Sequence, residues 1–149
     1  MGIDMDYKAI PFEQRIKENI RSYEINNLYA LDTLTEYCKA LCAVTDAAIL
    51  LTERHGEKII SVGGFAAFKP DVVGDPGRKV RVYGRTIAHL YAETQKVSPE
   101  KKEAVEKMLD GFANMLSRWG EETYLHTETA IYMDELEQKL NVQHIQTAK

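Results

Sequence analysis

The sequence predicts an α+β fold: an antiparallel sheet of about four strands covered by N- and C-terminal helices, the last of them unusually long. Three observations carry this expectation. Apolar residues recur every three or four positions before Thr45 and again after Ser98, which is the helical period. Between these stretches lie four short runs of strand character, joined by turn-forming residues into two hairpins. From Ser98 the helical pattern then continues to about Leu140, roughly 40 residues or ~60 Å, more than the core of so small a domain covers.

Pro11 suits the first position of a helix, and Phe12, Ile16, Ile20 and Tyr23 share one stripe. Leu28, Leu31, Leu34, Cys38 and Leu41 continue the pattern in a shifted phase, so Asn26-Asn27 marks either a break between two helices or a bend. Ala47 to Thr52 is a short apolar run suited to a strand buried on both faces. Arg54 to Glu57 supplies a turn, and Lys58 to Val62 returns, closed by Gly63-Gly64.

Phe65 to Gly77 has no period and carries Pro70, Gly74, Pro76 and Gly77, so it reads as a loop or a short irregular crossover. Lys79 to Tyr83 alternates polar and apolar, Gly84-Arg85 is the expected turn, and Thr86 to Glu93 should be a central strand. Strict alternation would put Ile87, His89 and Tyr91 on one face and Ala88, Leu90 and Ala92 on the other. Ser98-Pro99-Glu100 opens the last helix with an N-cap, a proline and a carboxylate. Val105, Met108, Leu109, Phe112, Met115, Leu116 and Trp119 make a broad stripe for lying on a sheet. Beyond Gly120 it narrows to Leu125, Thr129, Tyr132, Leu136 and Leu140, a two-in-seven seam.

Composition bounds the function. At 149 residues, 44% hydrophobic and 28% charged, the chain is ordinary globular material. A net charge of -4 argues against a nucleic-acid surface, which needs clustered cations. The longest apolar run, Ala47 to Leu51, is too short to cross a bilayer, and no basic-then-apolar leader opens the chain, so no membrane partner and a cytoplasmic location are expected. Cys38 and Cys42, spaced one helical turn apart, read as structural thiols in a reducing compartment.

No catalytic or metal motif is visible, and no cofactor is expected. The histidines are His55, His89, His126 and His144; His89, on the central strand, is either a satisfied core residue or lines a cavity with Tyr91 and Ile87. Arg78, Lys79, Arg81 and Arg85 gather on the third strand and its turn, either to receive an anion or as solvated charge that blocks edge pairing.

The run Val80-Arg-Val-Tyr-Gly-Arg-Thr-Ile-Ala-His-Leu-Tyr91, followed by Ser98-Pro-Glu-Lys-Lys-Glu-Ala-Val-Glu-Lys-Met-Leu109, resembles the end of a GAF domain: strand, glycine turn, strand, polar link, terminal helix. Ala88 stands where that family often has glycine, and the likeness covers about Leu28 to Glu122. It implies a helical arm over 1–27, a GAF-like domain over 28–122, and a coiled-coil signalling helix and linker over 123–149. A sensory role before an output module such as a GGDEF diguanylate cyclase or a histidine kinase also follows from it. The segment that roofs the ligand pocket in such domains is short here, Phe65 to Arg78. Phe65, Phe68, His89, Tyr91 and Arg81 are therefore the candidate ligand contacts, and a ligand-free dimerisation scaffold is the alternative. Homodimerisation is expected through Phe12, Ile16, Ile20, Tyr23, Leu125, Tyr132 and Leu136, with the basic first helix packed beside the acidic long one.

Overall fold

The computed structural model describes residues 11–65 and 68–147, with side chains to residue 141. Helix α1 is Phe12–Asn19; a 3-10 turn, Ile20–Ser22, leads into the single-turn helix α2, Ile25–Leu28, and helix α3 is Leu31–Thr45. The expected break is real but begins earlier than Asn26. Asn27 is part of a cap, its side-chain oxygen accepting the Glu24 N–H at 2.8 Å. Asp46, in the left-handed region at φ 64°, ends α3.

The sheet comprises β1 Ala48–Glu53, β2 Lys58–Val62, β3 Arg78–Val82 and β4 Arg85–Glu93, all antiparallel in the order β2-β1-β4-β3. The turn of the second hairpin is Tyr83-Gly84, one residue earlier than expected. Both residues have positive φ, 48° and 81°, as a two-residue turn between twisted strands requires.

A bulge corrects the expected face assignment on β4. Val80 pairs with Ala88 but Arg81 pairs with Thr86, so Ile87 is an extra residue without a partner on β3. It joins Ala88 and Leu90 in the helix-side core, while His89 and Tyr91 point to the other face. The helix-side core also takes Ile49, Leu51, Val80 and Val82 from the sheet and Leu34, Cys38, Leu109 and Leu116 from the helices. The opposite face holds a small second core of Ala48, Leu50, Phe65 and Tyr91, with Val72 against it.

After a 3-10 turn, Pro99–Lys101, the last helix α4 runs Lys102–Thr147, 46 residues, so it starts later than Ser98 and passes the expected end at Leu140. It is fastened to the edge strand β3 by polar contacts. Arg78 reaches Asp110 and Glu106 at 2.7 and 2.5 Å, and Ser117 Oγ accepts the Arg81 N–H at 3.0 Å. The buried Gly120 allows the closest approach: a Cβ there would lie 2.5 Å from the Tyr29 hydroxyl and 2.7 Å from Val82 Cγ2.

Two glycines of α4 therefore respond oppositely to alanine. Helix propensity favours alanine by up to ~1 kcal/mol at either position. Gly111 has nothing within 4 Å of an added Cβ, so Gly111→Ala raises stability by about that amount. Gly120→Ala meets the Tyr29 hydroxyl, already bonded to the Leu116 carbonyl, and a strand side chain. It lowers stability by a net ~1–2 kcal/mol in urea unfolding, because overpacking outweighs propensity.

Candidate functional site

The sheet face away from the helices brings together four of the five expected ligand contacts. Phe68 bridges Phe65 and Tyr91, with ring centroids 5.5 and 5.4 Å apart, and the His89 ring stacks beside Tyr91 at 6.5 Å. The polar tips of the strand residues are engaged by the loop above them. His89 Nδ1 lies 2.7 Å from the Pro76 carbonyl, and the Tyr91 hydroxyl donates to the Asp75 carbonyl at 2.7 Å. Lys58 Nζ donates to the Phe65 carbonyl at 2.6 Å. Gly77, at φ 60°, lets the loop lie directly on β4, where a Cβ would be 2.7 Å from the Leu90 carbonyl oxygen. The short roof is thus packed onto the sheet itself, and His89, 4% exposed, is a bonded core residue.

Arg81 is not part of this group; it is exposed on β3. Strand alternation divides the basic cluster between the two faces of β3. Arg78 turns to α4 while Lys79 and Arg81 stay exposed. Arg54 Nη1 and Arg85 Nε are buried without a hydrogen-bond partner.

The expected interface residues gather on the other side of the molecule, in one chain. Ile16 and Ile20, 6% and 1% exposed, lie in the chain's own core, so they are spent on folding rather than on a partner copy. Phe12 packs on Tyr132 with centroids 5.1 Å apart, and Tyr23 meets Tyr124 edge to face at 4.7 Å. The basic first helix thus packs beside the acidic long one, as expected, but within a single chain, along α4 from Tyr124 to Glu135. Leu125 is 38% exposed and Leu136 half-buried.

At the centre of this contact is a residue the sequence did not single out. Glu128, 2% exposed, accepts hydrogen bonds from Tyr23 at 2.5 Å, Asn19 at 2.7 Å and Arg15 at 3.2 Å. Arg15 also reaches Glu135 at 2.9 Å. Tyr124, fully buried, donates its hydroxyl to the Ile16 carbonyl at 2.5 Å. Burial alone would push the Glu128 carboxyl up, but the donors from Tyr23, Asn19 and Arg15 hold it below the usual carboxylate range. Burial pushes Tyr23 up, reinforced by the bond to that carboxylate, and Tyr124 up to about 12.

A second surface also escaped the sequence reading. Thr33, Leu34 and Tyr37 of α3 and Phe112, Met115, Leu116 and Trp119 of α4 line an apolar groove of about 420 Å³. Met115 is 64% exposed, and the apolar stripe of α4 proves wider than the sheet covers. Cys38 is buried and its thiol is pushed up to about 11 by that burial, as suits a packing residue. Among the described residues no cluster of three or more metal-ligating side chains occurs.

Replacing Glu128 by Gln should lower stability by ~1–3 kcal/mol near neutral pH, since three donors lose a charged acceptor. A carboxyl with a depressed folded value stabilises above its unfolded pKa of about 4.3 and loses that contribution as pH falls through the folded value. Urea unfolding stepped down to about pH 3 should therefore show wild type and Glu128→Gln converging in acid. A gap that stays constant with pH would remove the carboxylate's assigned role.

Comparison of the chain with protein-family models, curated proteins and solved structures yields no match.

Proposed function

We propose that this chain is a homodimeric regulatory domain of the GAF-like class, working in the cytoplasm, that controls an output domain through α4. A diguanylate cyclase is the kind of output the sequence resemblance suggests, which would make this chain a regulator rather than an enzyme. One observation carries the reading. Arg15 of α1 reaches α4 at Glu135, and α4 continues to Thr147, twelve residues or ~18 Å farther. A helix of 46 residues is several times the usual globular length, which suits pairing with a second α4. A helix shared between two copies is a direct mechanical link to an output domain.

The clasp at Glu128 supports the same reading. It joins the sheet-bearing domain to the projecting helix, so a change at one is felt at the other. A signal must still bind two arrangements of that helix pair with different affinities, otherwise nothing is transmitted. The lid of Phe65 and Phe68 over His89 and Tyr91 is the natural place for a ligand to act. Its direct packing on the sheet favours the second reading, a ligand-free dimerisation scaffold on the same fold.

Sedimentation equilibrium tests the dimer. The expected mass is twice the 17.0 kDa chain at micromolar concentration, and a single-chain mass throughout would overturn the proposal. Native mass spectrometry of gently purified protein then separates the two readings: a retained small molecule, lost in Tyr91→Ala, supports sensing, and a bare dimer supports the scaffold.

A further inference from the structure

We propose that Tyr83, at the tip of the β3-β4 hairpin, is a positioning residue for Glu128: its ring seats Tyr124, Tyr124 seats Tyr23, and Tyr23 donates to the carboxylate. The hairpin tip thereby acts as a latch on the clasp between α1 and α4. This stands on contacts within one chain and needs neither the dimer nor an output domain. Backbone conformation is the first observation. A two-residue turn of this kind suits asparagine or glycine, which enter the left-handed region readily, yet Tyr83 occupies it at φ 48°. A bulky side chain persists there only where surrounding contacts fix it. Those contacts are aromatic.

The Tyr83 ring lies 5.7 Å from the Tyr124 ring at an interplanar angle of 57°, within the range where aromatic pairs attract. Tyr124 is fully buried with its hydroxyl tied to the Ile16 carbonyl, and Tyr23 meets it edge to face at 4.7 Å. Tyr23 in turn makes the shortest of the three bonds to Glu128. The rings thus form an unbroken series from the hairpin to the carboxylate on α4. A second observation makes Tyr83 a latch rather than a fixed strut. It is 38% exposed and borders an open cleft of about 260 Å³, lined also by Arg118, Glu121, Glu122 and Leu125 of α4. The ring therefore has room to swing off Tyr124 into the cleft, whereas buried Tyr124 has none. Two arrangements of one side chain, seated and released, give a signal something to select between. The charged group bonded to Glu128 is Arg15 of α1, which also pairs with Glu135 of α4. Release of Tyr83 acts on the alignment of the Tyr23 hydroxyl and leaves that charge pair in place.

The test uses three variants of the full chain. Tyr83→Asn suits the turn and removes the ring, so the hairpin should persist while the clasp loosens. In carbon-13 NMR its Glu128 carboxyl should titrate about half a pH unit higher than in wild type, an acid about threefold weaker. Amides of α1 should exchange about threefold faster at neutral pH. Tyr83→Phe keeps the ring and should match wild type in both readouts. Tyr37→Asn removes an exposed ring that packs on Phe112, ~24 Å back along α4 from Glu128, and should leave the Glu128 titration unmoved. A wild-type value of either readout in Tyr83→Asn overturns the proposal. So does an equal Glu128 shift in Tyr37→Asn, which would make the effect a general loosening. Tyr83→Phe behaving like Tyr83→Asn also overturns it, because the hydroxyl rather than the packed ring would then carry the effect.

Discussion

A single buried carboxylate decides how this molecule is put together. Removing an ionised side chain from water costs several kcal/mol unless donors replace the lost solvent. Glu128 receives a hydroxyl, an amide and a guanidinium, all from the first helix and the turn that follows it. Breaking that arrangement strands a charge in an apolar seam. The first helix and the long helix are therefore docked by a geometry with little tolerance for sliding, unlike an apolar stripe, which accepts neighbouring registers. Tyr124 reinforces it by bonding to the backbone of the same helix.

The architecture follows from that docking. Because α1 covers α4 well past the edge of the sheet, the domain and the first part of the projecting helix form one packed unit. Ile16 and Ile20 then belong to the core, while the opposite side of α4 keeps an apolar groove against α3. On the far face of the sheet the lid is held at both ends of its span, at Phe65 by Lys58 and at Asp75 and Pro76 by Tyr91 and His89.

Much of the fold was legible in the sequence, because strands announce themselves by alternation and glycine turns. β2 matches its expected span, and the other three strands begin or end within one residue of theirs. Ile87 was misplaced because a bulge has no signature in alternation alone. The stripe of Phe12, Ile16 and Ile20 was recognisable as buried, but periodicity does not say whether the burying partner is the same chain or another. Glu128 gave no signal, being one acid among many on a helix whose charge suggests solvent. The lid cluster was legible in Phe65, Phe68, His89 and Tyr91, whereas Arg81 is exposed on β3 rather than packed with them.

Hydrogen exchange along α4, followed as the protein is diluted, tests the central claim most directly. The account predicts slow exchange through about residue 135 at every concentration, since the Glu128 clasp is internal to one chain. Amides of 136–147 should be slow in concentrated protein and fast in dilute protein if the proposed dimer pairs this stretch. Protection that ends near Gly120 regardless of concentration would contradict the clasp and everything built on it.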